Sequence, residues 1–381
     1  MKKILMLQIK GKSYGGVWQV NKLVGEELIK NGYDVSIVSI RNNQEDITIK
    51  HDPKLKVFTI NEIDPWDTYT GTEIIDEIKQ IHLIKAIKMI LSRIKYEISL
   101  KKDIKKLHKY INESKPDYII TAHYQLLDMI PKNYLDRTIH EQHSAFDHAM
   151  NHKATRKTLE KYNGKIKYLW LTKNTMEKAN NYGLKNNRYI YNAVRFNSDT
   201  IADVTKNKKL ITIARISSDK RIDIMIDIVK KVFKDKKFKD WSLEIYGDGE
   251  LEEDIRRQIN NHKQIKLMGL TNNPKDKLLT SSINLNTSPY EGFSLSILEA
   301  NECGVPTVTF DFGESVHEEI INEKTGIIAD DFNDYVEKLK ELMLNESKLK
   351  ELSKNAREFS NDFHIENIIN KWIDLFDEED K

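Results

Sequence analysis

KILMLQIKGKSYGGVWQVNKLVGEELIKNGYDVSIVSI, residues 3–40, decides the architecture. The apolar run at 3–9 reads as a strand, and GKSYGG (11–16) as a glycine-bearing loop. From Val17 to Lys30 apolar residues recur at helical spacing, and Asn31-Gly32 supplies the stop. YDVSIVSI is the next strand. Strand, glycine loop, helix, strand is a βαβ unit, and it predicts a parallel sheet covered by helices. The start MKKILMLQIKG has too short an apolar run and no small-residue cleavage site for an export signal, so it reads as the first strand.

The pattern continues. DYIITAHY (117–124), TIHEQHS (138–144), IKYLWLT (166–172) and RYIYNAV (188–194) read as later strands of the same sheet. A second series starts near Lys208. LITIARI, WSLEIYG, IKLMG, INLNTSP and VPTVTFD are strand-like, and DIMIDIVKKVF, LEEDIRRQINN, KDKLLTSS and SLSILEANEC fill the gaps as helices. From Asp331 onward the chain reads as helical, ending in the amphipathic HIENIINKWIDLF. The expected domains are 1–200, 201–360 and a last helix at 361–381, with a short connection near 196–207. Two doubly wound α/β domains would leave a cleft lined by the loops that follow strands.

Composition narrows the class. At 381 residues the chain suits about two domains, and 39% hydrophobic with 31% charged residues is ordinary for a globular protein. No apolar run nears the ~18 residues of a membrane span. Cys303 is the only cysteine, which excludes an intrachain disulfide or a cysteine-cluster metal site and suits a reducing cytoplasm. Lys+Arg at 61 against Asp+Glu at 59 argues against a general nucleic-acid binder.

Four constellations carry chemistry. In SPYEGFSLSILEANECGVPTVTFD (288–311), Ser294 is placed to cap a helix that runs to about Cys303, with Gly304 as its stop. Glu291 then lies just before the helix and Glu299 in its second turn. Backbone amides near Phe293, Ser294 and Leu295 at a helix start suit a phosphate, and acids beside a phosphate suit sugar hydroxyls. The strand LITIAR ends in Arg215, and Lys220 follows five residues later. A planar fork and a point charge there suit a pyrophosphate. YGDGE (246–250) places Gly247 and Gly249 in a turn after a strand. Gly15-Gly16 follows the first strand without forming a dinucleotide fingerprint. Asp311-Phe312-Gly313 has no accompanying kinase motif.

The order of these motifs resembles glycosyltransferase family 4. It runs Gly-Gly after the first strand, a strand-end His, YNAV, A-R-x4-K, YGDGE, MG, E-x7-E and GVP, over Met1 to about Gly326. The resemblance implies a GT-B fold, two Rossmann-like doubly wound domains facing a central cleft, and a retaining transferase. It implies catalytic roles for His143, Arg215, Lys220 and Glu291. Donor binding is implied for Gly16, Asn192, Gly247, Phe293, Ser294, Leu295 and Glu299. In that scheme Arg215 and Lys220 hold the donor diphosphate, Glu299 the ribose, and Glu291 lies near the transferred sugar. His143 matches the cleft histidine better than His140, which falls inside the strand. Ala193 and Ser294 stand where the family often has glycine. With no Asp-x-Asp motif, no cofactor or metal is expected beyond the nucleotide-sugar co-substrate.

The implied donor is a UDP-sugar carrying a hexose or N-acetylhexosamine. The implied acceptor is an envelope glycan, a teichoic-type (polyol-phosphate) polymer or a lipid-linked sugar. The alternatives are a catalytically silent GT-B subunit that binds a glycan or partner enzyme, and a GT-B epimerase or phosphorylase. The silent reading expects loss of the Arg–Lys pair or of an acid, and all four are present. The Trp372 segment is expected to cross back to the N-terminal domain. Residues 79–109 are strongly basic, with Ile78, Ile81, Ile84, Ile87, Leu91, Ile94 and Ile98 at helical spacing. Such a helix can lie on an anionic membrane, grip a polyanionic acceptor, or pack its isoleucines inward with lysines in water. The expected location is cytoplasmic, with peripheral contact at the inner membrane face one of these options.

Overall fold

The apolar runs become two sheets whose inner strands are buried on both faces, as parallel sheets covered by helices require. The computed structural model describes residues 1–11, 15–41, 50–61, 75, 79 and 82–378. One compact unit holds Met1–Gln142, Lys153–Leu169 and Leu184–Asn187. The other holds His143–His152, Trp170–Gly183 and Arg188–Lys381.

The first sheet has seven strands: β1 (Lys3–Lys10), β2 (Asp34–Arg41), β3 (Lys56–Asn61), β4 (Tyr118–Thr121), β5 (Thr138–Gln142), β6 (Lys167–Trp170) and β7 (Asn187–Tyr189). Their order is β3-β2-β1-β4-β5-β6-β7. Strand β1 pairs in parallel with β2 on one side and β4 on the other, in registers Ile4↔Val35 and Ile4↔Tyr118. The winding therefore reverses between β1 and β4. RYIYNAV is strand only at its start, since β7 ends at Tyr189, although the Ile190 amide still donates to the Trp170 carbonyl. Gly16 opens the helix Gly16–Lys30, with Gly15 at its cap. Part of the loop before it, 12–14, lies outside the described residues.

The helix Leu83–Ser114 docks through Ala86, Met89, Leu107 and Ile111, all buried. Buried Asp103 adds an ion pair to Arg41 and accepts from Asn61 Nδ2 at 3.2 Å. Arg41 also sits over the Tyr96 ring, 4.7 Å from its centroid. These contacts fix the roll of the helix, and they turn Ile84, Ile87, Leu91, Ile94 and Ile98 outward. The option of an inward-packed isoleucine stripe is thereby corrected for these five positions. Ile78 and Ile81 lie outside the described residues.

The second unit contains β8 (Lys209–Ile213), β9 (Ser242–Tyr246), β10 (Ile265–Gly269), β11 (Ile283–Asn286), β12 (Thr307–Phe310) and β13 (Gly326–Ala329), in the order β10-β9-β8-β11-β12-β13. Leu210, Ile211, Leu243, Ile245, Ile283 and Val308 are completely buried in its core. All of its strand pairs are parallel, and the switch point falls between β8 and β11. Ligands of open α/β sheets bind outside the carboxyl ends of strands at such a point. The loops leaving β8 and β11 are the segments 214–221 and 287–294, which carry Arg215, Lys220 and Glu291.

Gly247 lies at φ +143°, and a Cβ there would stand 1.9 Å from the Ala214 carbonyl oxygen. The turn after β9 thus presses backbone against the end of β8, where the Ile216 amide donates to the Asp248 carbonyl at 2.6 Å. Gly247→Ala is expected to destabilise the second unit by about 3 kcal/mol or more, through strain and overpacking together. Chemical denaturation would show this as a lower midpoint, whereas an unchanged midpoint would deny the close approach its structural weight.

Candidate donor site

Three segments meet at the switch point. After β8 the chain turns through Arg215 to Lys220, and Arg221 adopts a left-handed conformation at φ 48°. The Thr287 hydroxyl, just past β11, donates to the carbonyls of Lys220 and Arg221 at 3.1 and 2.9 Å. That pins one loop to the other. The third segment is the start of the helix Leu295–Glu302, whose C-terminal stop Gly304 stands at φ +66°.

Charges in this site come in pairs. Lys220 Nζ lies 2.6 Å from Glu291 Oε1, and the Ser288 hydroxyl donates to the same oxygen at 2.7 Å. The Ser315 hydroxyl holds the Glu291 carbonyl at 2.8 Å. Arg215 is mostly exposed and reaches Asp219 at 3.8 Å, and Lys220 lies 3.7 Å from the same carboxylate. Burial works to raise the Asp219 pKa. The Ser217 hydroxyl and the charges of Lys220 and Arg215 overcome it and hold the carboxyl below its ordinary value.

Glu299 is 1% exposed and receives a two-point contact from Arg195, Nε to Oε1 and Nη2 to Oε2, the latter at 2.8 Å. Burial disfavours the Arg195 charge, yet Glu299 outweighs it and raises the guanidinium pKa. Paired in this way, the carboxylate has a fixed orientation at the second turn of the helix.

The helix start differs from its expected form. Ser294 occupies the cap position, but its side chain makes no capping bond, and its Oγ lies 3.1 Å from Ser296 Oγ. Its N–H is not a free donor either, because it donates to Glu319 Oε2 at 2.9 Å. This corrects the reading of Ser294 as an open amide. A buried acid 25 residues on in the chain already satisfies it. Glu319 is fully buried, and its Oε1 has no hydrogen-bond partner among the described residues. Burial lifts its pKa well above the carboxylate value, against the lowering effect of the Ser294 amide, and the Glu291 charge adds to the lift.

A carboxyl raised on folding costs stability once the unfolded chain ionises. Its contribution is complete below the unfolded pKa and declines as pH rises toward the folded pKa. Glu319→Gln, which keeps an acceptor for Ser294, is therefore expected to gain stability relative to the native chain from about pH 4.5 upward. Denaturation midpoints across pH 4–8 check this, and parallel curves for the two proteins would contradict it.

His143 follows β5, whereas His140 lies inside it, completely buried and 3.0 Å from Thr121 Oγ1. The His143 carbonyl packs against Gly292, where a Cβ would come within 2.1 Å of it. This sets the residue beside the Glu291 loop. Asn192 Nδ2 donates to the Phe293 carbonyl at 3.1 Å, and Phe293 is buried against Leu171, Val194, Leu298 and Phe363. The structure thus gathers His143, Asn192, Arg215, Lys220, Glu291, Phe293, Ser294, Leu295 and Glu299 within the second unit. Gly247 buttresses the end of β8, and Gly16 belongs to the first unit.

Residues that sequence reading missed are the partners: Arg195, Asp219 and Glu319. Glu318 is another, accepting from the Lys173 and Asn174 amides and the Tyr191 hydroxyl at 2.9, 2.7 and 2.6 Å. Only Asp219 left a local signal, an acid set between two singled-out cations.

Residues 195–359 match the family model described as glycosyl transferases group 1. An uncharacterised glycosyltransferase of Haemophilus influenzae is 26% identical over 98% of this chain and 99% of its own. The poly(ribitol-phosphate) alpha-N-acetylglucosaminyltransferase of Staphylococcus aureus is 31% identical over 43% of this chain, and the match spans 34% of that protein. Among solved structures, a variant of S. aureus TarM in complex with fondaparinux, α-GlcNAc-glycerol and UDP matches with a TM-score of 0.76. The two are 17% identical over 99% of this chain and 100% of that one. The fold is GT-B, and the relatives are glycosyltransferases.

Proposed function

We propose that the protein is a retaining glycosyltransferase using a nucleotide-diphosphate sugar, with UDP as the carrier and a hexose or N-acetylhexosamine as the transferred group. The acceptor is proposed to be an envelope glycan, a teichoic-type polymer or a lipid-linked sugar, met on the cytoplasmic side of the membrane. One observation carries the reading: Arg215, Lys220 and Glu291 converge at the switch point of the second unit, and Glu299 sits on the helix that follows the Glu291 loop. The donor and acceptor classes draw support from the polyol-phosphate relative and from the UDP bound by TarM.

The chemistry follows from the groups present. Arg215 and Lys220 exchange Asp219 and Glu291 for the incoming diphosphate, and they stabilise the charge that grows on it as the glycosidic bond breaks. The acceptor hydroxyl oxygen bonds to the anomeric carbon on the face that the diphosphate leaves, and its proton passes to a diphosphate oxygen. Glu299, oriented by Arg195, takes the ribose hydroxyls, and Glu291, released from Lys220, lies by the sugar. Positioning supplies much of the remaining rate. Two cations, Arg215 and Lys220, are available to neutralise the leaving group, so no essential metal is proposed.

The test is nucleoside diphosphate release from a panel of UDP-, GDP- and ADP-sugars with candidate acceptors, in buffer and in EDTA. The product's anomeric configuration is read by NMR. Release from one donor, unchanged by EDTA, with the α configuration kept is the expected result. Inverted product would overturn the retaining mechanism, and loss of turnover in EDTA would overturn the metal-free one.

A further inference from the structure

The outward face of the helix Leu83–Ser114 has no part in the donor chemistry, and its composition is specific. Leu83, Ile84, Ile87, Leu91, Ile94 and Ile98 are between 49% and 76% exposed. A contiguous apolar row of this kind marks an interaction surface. Exposed Lys85, Lys88, Arg93, Lys95, Lys101 and Lys102 flank it, with Glu97 the one acid between residues 83 and 102. The row from Leu83 to Ile98 is about 24 Å long at 1.5 Å per residue. Among the described residues no helix is long and apolar enough to cross a membrane.

Three kinds of occupant compete for this face. A polyanionic polymer would use the lysines and leave the isoleucines in water. A second copy of the chain could use the row, whose three-and-four spacing suits paired helices. It would also bring Lys88, Lys95 and Lys102, spaced by sevens along one flank, against a helix just as basic. An anionic bilayer uses both features, since the acyl boundary takes the apolar row and the headgroups take the lysines. We infer that residues 83–102 form a surface that lies on anionic lipid, holding the enzyme at a membrane without crossing it. This surface is independent of the donor reading.

Flotation of the full chain with phosphatidylcholine vesicles, with and without phosphatidylglycerol, tests the inference. The protein is expected to float with anionic vesicles and not with neutral ones at about 0.1 M salt. Lys85→Gln, Lys88→Gln and Lys95→Gln together are expected to weaken partitioning about a hundredfold, at about fivefold per lysine. Ile87→Asn with Ile94→Asn is expected to weaken it roughly tenfold or more. These side chains are exposed, so circular dichroism and the melting midpoint should stay unchanged and separate binding from folding. Anionic binding that resists the isoleucine changes would assign the face to polyanion contact and overturn the lipid reading. Sedimentation showing a dimer that those changes dissolve, with no flotation, would assign it to a second copy and also overturn the reading.

Discussion

Replacing Lys220 by alanine is expected to lower kcat/KM for sugar transfer by about 10²–10³, roughly 2.7–4 kcal/mol of transition-state stabilisation. The size follows from the setting. The Lys220 side chain is only 21% exposed, its ammonium lies 2.6 Å from a carboxylate, and it is carried on a loop that Thr287 pins. In so little water a fixed cation acts strongly on a diphosphate that gains charge as it leaves. The loss should fall mainly on kcat, because the charge it meets grows between the bound donor and the transition state. Lys220→Arg should recover only part, since a planar fork cannot replace a point charge at the same distance. The fold should survive, because Glu291 keeps its Ser288 hydroxyl and some solvent contact. A variant with normal kcat and a raised KM would show that Lys220 binds the donor uniformly and stabilises nothing that develops during reaction.

Arg195→Ala is expected to destabilise the second unit by about 3–5 kcal/mol, because it leaves Glu299 buried without its cation. For a unit of this size the melting midpoint should fall by roughly 6–15 °C. Arg195→Met with Glu299→Met should recover much of that loss, since a buried pair can be exchanged for apolar packing at little cost. The double variant should still fail with donor, because the proposed ribose acceptor is gone. Calorimetric melting of the native, single and double variants decides the matter. A single variant that melts like the native protein would mean that solvent reaches Glu299 freely.

The fold was legible where apolar runs were long and bounded by glycine. Residues 3–40 gave β1, a helix and β2 nearly to the residue, and the β8–β12 series was readable for the same reason. Strand β3 was missed because Lys56–Asn61 is half-exposed at a sheet edge, so its polar residues hide the pattern. Strand β13 was missed because Gly326–Ala329 is only four residues long, ahead of a run of helices. The cations and acids of the site were legible because strand-end loops carry them at short spacings. Their partners were not. Arg195 meets Glu299 across 104 positions and Ser294 meets Glu319 across 25, and no local spacing encodes either choice. The direction in which the basic helix faces was likewise undecided, because Ala86 and Met89, which set its roll, look unremarkable beside so many isoleucines.

Whether Arg215 and Lys220 grip a diphosphate is read by titration calorimetry with UDP and uridine, on the native chain and on Arg215→Ala with Lys220→Ala. UDP is expected to bind the native chain at least tenfold more tightly than uridine does, and the double variant to lose this advantage. Equal binding of UDP and uridine by the native chain, or a UDP advantage that survives loss of both cations, would contradict it.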